Sequence, residues 1–174
     1  MTGAGKKKEL LVATRNKKKL QEIRDLLKDT DFVVTSLDDY GAMPEIIEDG
    51  DTFEQNAIKK AATIAQFTKK LVLGEDSGLE VCALGNKPGV YSARYAGPGA
   101  TDEKNNKKLL AALKKISLKK RAARYRCAVA IADAHQLIGV VSGACSGLIA
   151  LTPRGDTGFG YDPLFLILMH RNNL

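Results

Sequence analysis

Two adjacent carboxylates stand in Glu75-Asp76-Ser77-Gly78-Leu79, directly after the apolar run Leu71 to Gly74. The run reads as a short strand that ends abruptly at the acidic pair. Proteins of the α/β class hold ligands beyond the carboxyl ends of their strands. Carboxylates there suit magnesium, which binds through one or two of them plus substrate phosphates. A second acidic stretch, Glu48-Asp49-Gly50-Asp51, precedes a helix. Acidic residues in that position commonly serve only as caps and partners of the helix dipole. Lys60 sits on that helix at the edge of the apolar stripe formed by Phe53, Ala57, Ala61, Ile64 and Ala65. At about 100° per residue, Lys59 points to the opposite, solvated side. A lysine at a stripe edge either snorkels along the surface or reaches a ligand held between helix and sheet.

Basic chemistry gathers in Thr14-Arg15-Asn16-Lys17-Lys18-Lys19, between a strand and a helix. Backbone amides at a helix N-terminus bind phosphate, and the dipole favours an anion there. Three lysines in the same place oppose the dipole, a cost that a bound anion removes. The stretch lacks the glycines of a Walker loop. Near the other end of the chain, Thr157-Gly158-Phe159-Gly160-Tyr161-Asp162-Pro163 brackets an aromatic ring with glycines. Glycine lets backbone approach a ligand closely, and a ring so placed can stack on a base. A glycine-rich turn around a core aromatic is the plainer reading.

The elements that must position these residues follow from periodicity and caps. Glu9 to Thr14 reads as a buried strand, Lys17 to Lys28 as a helix capped by Asn16, and Asp31 to Ser36 as a second strand. Leu20, Ile23 and Leu27 share one face of the helix. The long helix starts near Thr52, which forms a capping-box pattern with Gln55. A third helix spans about Thr101 to Ile116, with Leu109, Leu110, Leu113 and Ile116 inward. The remainder is β-rich: Arg124 to Ala132, Leu137 to Ser142, Ser146 to Leu151 and Leu164 to Leu168, with a hairpin turn at His135-Gln136. The pattern predicts an α/β fold, a mixed sheet flanked by helices.

Bulk properties narrow the class. The 174 residues are enough for one domain with a real core. No apolar run approaches the roughly 20 residues of a membrane span, and no stretch near the start is long enough for a signal peptide. A cytoplasmic protein is expected. Cys82, Cys127 and Cys145 are odd in number, widely spaced and expected to be buried reduced thiols. His135 and His170 share no metal-ligand spacing. With 27 basic and 20 acidic residues the net charge is +7, which attracts polyanions, either nucleic acid or phosphorylated small molecules. Aromatic residues make up only 6% and Trp is absent, too few for a single-strand stacking platform.

Taken in order, these stretches resemble the ITPase/XTPase family of house-cleaning nucleotide pyrophosphatases. That family carries A-T-x-N-x-x-K, then E-x-G-x-T-F-x-x-N-A-x-x-K-A, D-S-G-L, P-G-x-Y-S-A-R-Y and G-F-G-Y-D-P. The chain matches with Ala13 to Lys19, Glu48 to Ala61, Asp76 to Leu79, Pro88 to Tyr95 and Gly158 to Pro163. The resemblance implies that Thr14, Arg15, Asn16, Lys17, Lys18 and Lys19 hold the triphosphate, with Lys60 neutralising phosphate charge. It implies magnesium on Glu48 and Asp76, with Glu75 as a nearby second acid and Asp76 as the general base. Ser77 would contact substrate, and Phe159, Gly160, Tyr161 and Asp162 would engage the nucleoside. The family fold is an elongated mixed β-sheet flanked by helices, two lobes with a central cleft, and its members are usually homodimers. The expected activity is hydrolysis of aberrant purine nucleoside triphosphates to monophosphate and pyrophosphate, with no stable nucleic-acid partner and no membrane. A basic nucleic-acid-binding module is the alternative from another class. A Maf-like pyrophosphatase is the other, although such proteins resemble S-x-S-P-R-R where this chain has Thr14-Arg15-Asn16.

The resemblance stops near Pro163. Family members continue through another helix and a lysine to an S-H-R motif that reads the purine 6-oxo group. Here His170-Arg171 follows too soon after Asp162 and without the serine, so the base-reading role is not transferred to it. A single domain truncated or altered after about residue 163 is expected, with weakened activity and purine selectivity.

Overall fold

In a computed structural model, which describes residues 7–155 and 158–168, the chain divides into two compact units. The first comprises Met1–Asp76 and Ala128–Ser142, the second Ser77–Cys127 and Gly143–Leu174.

The first unit opens with β1 (Lys8–Val12), α1 (Lys17–Leu27), β2 (Phe32–Ser36), α2 (Phe53–Thr68) and the start of β3 (Val72–Val81). β1 is central and pairs in parallel with both neighbours, Leu10 opposite Val34 and Leu11 opposite Val72. Because β2 and β3 flank β1 on opposite edges, right-handed crossovers put α1 and α2 on opposite faces of the sheet. The packing agrees. Leu10, Val12 and Leu73 cluster with Leu20 of α1, while Leu11 and Gly74, on the alternate face, are buried with the α2 stripe Ala57, Ala61, Ile64 and Ala65.

Both helices start where their caps predict. The Asn16 side chain accepts from the Lys18 and Lys19 amides at 3.0 and 3.3 Å. These are two of the four donors that an α-helix leaves unpaired at its start. Replacing Asn16 with alanine is expected to cost about 1 kcal/mol, read as a Tm drop of roughly 2–4 °C for a chain of this size. Thr52 Oγ1 accepts from the Gln55 amide at 3.1 Å. The reciprocal bond of the expected capping box goes elsewhere: Gln55 Oε1 takes the Asp51 amide at 2.8 Å. The side chain thereby ties down the acidic segment rather than the cap residue itself.

The second unit has its own core. Leu79 and Val81 of β3, Leu109 of α3 (Asp102–Ala112), Leu113, Ala123 of β5 (Ala122–Ala132), Ile149 of β6 (Leu137–Ile149), Tyr161 and Leu164 are all buried together. Arg121 closes the end of α3. Its guanidinium donates to the carbonyls of Ile116, Ala150 and Leu113 at 2.8–2.9 Å, the last of them at the C-cap of α3, where a helix leaves carbonyls orphaned. Among the described residues the sheet has seven strands, six of them in the order β2-β1-β3-β5-β6-β7, with β7 at Phe165–Ile167. The two-residue β4 (Lys87–Pro88) pairs antiparallel to β3, and β7 antiparallel to β6. The fold is the expected α/β mixed sheet.

Four expectations are corrected. β3 does not stop at Gly74 but runs on through Glu75-Asp76-Ser77-Gly78 to Val81, because each carboxylate finds a lysine within the first unit. The two strands expected between Leu137 and Leu151 are one, β6, whose residues 137–139 and 141–146 are all exposed and so show no buried alternation to read. α3 ends at Ala112 rather than Ile116. Cys82 and Cys145 are exposed and Cys127 half-buried, all as free thiols, since the first two fall on a strand end and on the exposed run of β6.

Candidate active site

Gly74 brings β3 against α2. A Cβ built on Gly74 would lie 2.2 Å from the Ala57 carbonyl oxygen and 2.6 Å from the Ala61 amide nitrogen, so only glycine permits this spacing. Gly74→Ala is expected to force strand and helix apart at a cost of about 1–3 kcal/mol. Because Asp76 and Lys60 are the next residues along the same two surfaces, activity should fall with stability. A thermal melt that matches the unsubstituted protein would contradict this.

Beyond that contact the two carboxylates separate by strand alternation. Glu75 faces α1, where both its oxygens accept from Lys19 Nζ at 3.0 and 2.8 Å. Asp76 faces α2. Its Oδ1 accepts from Lys60 Nζ at 3.0 Å and its Oδ2 from Asn56 Nδ2 at 3.1 Å. Lys60 Nζ also donates to the Glu75 carbonyl at 2.9 Å and pairs with Glu48 Oε1 at 2.9 Å. Lys60 is only 7% exposed, Asp76 5% and Glu75 7%. The segment that carries Glu48 is held by the Gly50 amide, which donates to Asn56 Oδ1 at 2.8 Å. Lys59, on the wet side as expected, pairs with Asp49.

Charge and burial pull in opposite directions here. Burial disfavours the Lys60 ammonium, yet Asp76 and Glu48 together more than offset it and hold its pKa above the ordinary value. For Asp76 burial wins. It pushes the carboxyl above the usual aspartate range against the pull of Lys60 and the Asn56 N–H. The asymmetry is physical, because Lys60 is shared between two carboxylates and a carbonyl while Asp76 has one cation, itself shared. A carboxylate with a raised pKa is a stronger base near neutrality.

The residues of the expected phosphate loop follow β1 directly. Thr14 is half-buried, and Arg15, Asn16, Lys17 and Lys18 are exposed at the start of α1. Thr14 Oγ1 accepts from the Asn16 amide at 3.2 Å. Only Lys19 of the three lysines turns inward, to Glu75. Thr14 through Lys19, Glu48, Lys60 and Asp76 all belong to the first unit, and hydrogen bonds link Lys19, Glu48, Lys60, Glu75 and Asp76 into one network. Asn56, 1% exposed, was not singled out from the sequence. A polar residue four positions before Lys60 on the buried side of α2 is the signal that marks it.

Ser77 is half-buried in β3. The loop containing Phe159, Gly160, Tyr161 and Asp162 belongs to the second unit. Asp162 Oδ2 accepts from the Phe159 amide at 2.9 Å and Asp162 Oδ1 from Tyr125 Oη at 3.0 Å. Gly158 has φ 86°, and a Cβ there would meet Asp162 Oδ2 at 2.5 Å. The Gly160 amide donates to Asp102 Oδ2 at 2.7 Å. Tyr161 is buried, with its hydroxyl donating to the Ser92 carbonyl at 2.8 Å. Within this unit Asp162 shapes the loop and Tyr161 anchors it, while Phe159 remains half-buried. Thr157, His170 and Arg171 lie outside the described residues.

Glu48 and Asp76 each place an oxygen about 3 Å from a single ammonium, so one cation can engage both. Hard oxygen donors in that arrangement fit magnesium, which needs only one or two protein carboxylates when phosphate supplies the rest. Among the described residues no group of three or more His, Cys, Asp or Glu side chains is arranged as a metal cage, and none is required for that mode of binding. Among the described residues no helix is long and apolar enough to cross a membrane.

Comparison with known proteins extends over nearly the whole chain. The model of the Ham1 family matches residues 10–173. A dITP/XTP pyrophosphatase of Shouchella clausii is 50% identical over 162 residues, covering 93% of this chain and 81% of that protein. One from Geobacter sulfurreducens is 49% identical over 158 residues, covering 91% and 79%. Among solved structures, a HAM1 protein from Coxiella burnetii superposes with a TM-score of 0.81 at 39% identity, covering 90% of this chain and 80% of the other.

Proposed function

The chain belongs to the Ham1 family, and from that premise we propose that it hydrolyses aberrant purine nucleoside triphosphates, dITP, XTP and ITP, to the monophosphate and pyrophosphate. The observation that carries the reading is the network in which Lys60 joins Glu48 to Asp76 beside the lysine-rich start of α1. Acidic groups suited to a hard cation and basic groups suited to a polyphosphate belong to one compact unit.

A triphosphate resists attack because its oxygens repel an incoming hydroxide. Lys17 and Lys18, at the positive end of the α1 dipole, offset that charge around the phosphates, and Lys60 adds a buried ammonium that stays protonated. Asp76 orients a water and accepts its proton as the oxygen forms a bond to the α-phosphorus. The bond from that phosphorus to the bridging oxygen breaks, and pyrophosphate leaves with the electron pair. No covalent enzyme intermediate is needed. Glu48 and Asp76 are the residues that would hold magnesium, which would withdraw further charge from the phosphate oxygens, whereas Glu75, expected as a nearby second acid, faces α1 and pairs with Lys19. Thr14 and Asn16 shape the phosphate loop, Arg15 and Lys19 add positive charge to it, and Ser77 and the loop from Phe159 to Asp162 supply substrate contacts. A homodimer working in the cytoplasm completes the reading, supported by the family resemblance; sedimentation of the purified chain at the mass of two copies checks the first part.

Incubation with dITP, ITP or XTP and magnesium is the direct test. Stoichiometric pyrophosphate with nucleoside monophosphate is the expected product pair. Orthophosphate with nucleoside diphosphate, or no turnover, would end the proposal.

A further inference from the structure

Asn56 links the Asp76 carboxylate to the backbone of Gly50, two residues after Glu48. It lies on α2, one turn before Lys60, and is 1% exposed. Its amide nitrogen donates to Asp76 Oδ2 at 3.1 Å, and its amide oxygen accepts the Gly50 amide at 2.8 Å. Each end of the amide is therefore used in the sense that only an asparagine supplies, a donor toward a carboxylate and an acceptor toward a backbone N–H. The contact with Gly50 leaves no room for a Cβ at position 50 unless the Asn56 amide or Gln55 shifts. A Cβ there would lie 2.7 Å from Asn56 Oδ1 and 2.9 Å from Gln55 Cβ.

Asp76 has two oxygens and two positioned donors. Lys60 is shared with Glu48 and the Glu75 carbonyl, so the ammonium alone does not fix the orientation of the carboxylate. Asn56 supplies the second constraint, and through Gly50 it ties that orientation to the segment that presents Glu48. Groups that hold a reacting or ligating carboxylate in place typically change rates by about 10–100-fold when removed.

We propose that Asn56 is a positioning residue for the hydrolytic reaction, which sets the orientation of the Asp76 carboxylate and its separation from Glu48 by bridging Asp76 to the Gly50 backbone. The role rests on the pyrophosphatase reading above and deepens it. Asn56 acts through Asp76 and does not itself touch substrate.

Two substitutions on different elements test it. Asn56→Ala removes both bonds. Gly50→Ala leaves every polar group in place and pushes on the Asn56 amide from the other side. Pyrophosphate release from dITP is measured with magnesium for each variant and for the double variant, beside thermal melts. Both single variants are expected to lose about 10–100-fold in kcat with KM nearly unchanged, since the phosphate-binding lysines are untouched. The double variant should lose clearly less than the product of the two single losses, because the closest contact of the Gly50 methyl is with the amide that Asn56→Ala deletes, its other close contact being with Gln55 Cβ. Additive losses, a loss confined to KM, or a folded Asn56→Ala protein with unchanged kcat would overturn the role. If Asn56→Ala does not fold, Gly50→Ala alone decides: unchanged kcat in a folded Gly50→Ala protein overturns the proposal. Turnover of the unsubstituted chain separates the two claims, since its absence removes the enzymatic reading itself, whereas its presence with unaffected variants removes only the role of Asn56.

Discussion

Asp76→Asn is expected to lower kcat for pyrophosphate release by about 10²–10⁴-fold while the protein stays folded. The amide keeps the shape of the side chain but cannot accept a proton at neutral pH, and it is a poorer donor oxygen for a divalent cation. Stability responds through two opposed effects. Burial already disfavours the charged carboxylate and lifts its pKa, so removing the charge relieves that penalty. Against this, the new amide must present its oxygen to Lys60, which turns its NH2 group toward the donating Asn56 Nδ2. Rotating the Asn56 amide only transfers the conflict to the Gly50 N–H. One unsatisfied buried donor costs about 1–3 kcal/mol, and relief of the burial penalty reduces this. The expected signature is therefore near-abolished turnover with a melt lowered by a few degrees at most. Turnover close to that of the unsubstituted chain would remove Asp76 from the chemistry.

Local signals explain why so much of the first unit was legible. Asn16 and Thr52 cap helices by bonds two or three residues long, and the α2 stripe from Phe53 to Ala65 is buried by the helical period alone. The same period placed Lys60 at the buried edge and Lys59 outside. What could not be read was anything that depends on a distant partner. Glu75 and Asp76 look like a turn because charge inside a strand is costly. They stay in β3 because Lys19 lies 56 residues earlier in sequence and Lys60 lies 16 residues before Asp76. The helical period marks Asn56 as a polar residue on the buried side of α2, but its role comes from Asp76, 20 residues on. The sequence of β6 reads as two strands because its exposed stretch has no buried face to impose a rhythm. The order of the motifs named Glu48, Lys60 and Asp76, and the structure brings these three into direct contact. Motif order alone gave no hint that Lys60 bridges the two carboxylates.

That bridge has a consequence for stability. Lys60→Met is expected to destabilise the protein at neutral pH by about 3–5 kcal/mol, the usual result of breaking a buried ion pair from one side. Glu48 has a side chain 37% exposed, so water relieves it, and the value should fall toward the lower end. Asp76 has no such relief at 5% exposure. Its carboxyl, already above the ordinary range, rises further without the ammonium. A group whose folded pKa exceeds its unfolded value of about 3.9 contributes stability that is intact below the unfolded pKa and lost as pH rises through the folded one. The deficit of Lys60→Met relative to the unsubstituted chain should therefore be largest at neutral pH and shrink on acidification as Asp76 takes up its proton, in urea titrations without added metal. Adding Asp76→Asn to Lys60→Met should recover much of the loss even though it deletes another polar contact, because a neutral pair replaces an uncompensated buried charge. A deficit independent of pH, or a double variant less stable than Lys60→Met alone, would show that Lys60 contributes by packing rather than by compensating Asp76.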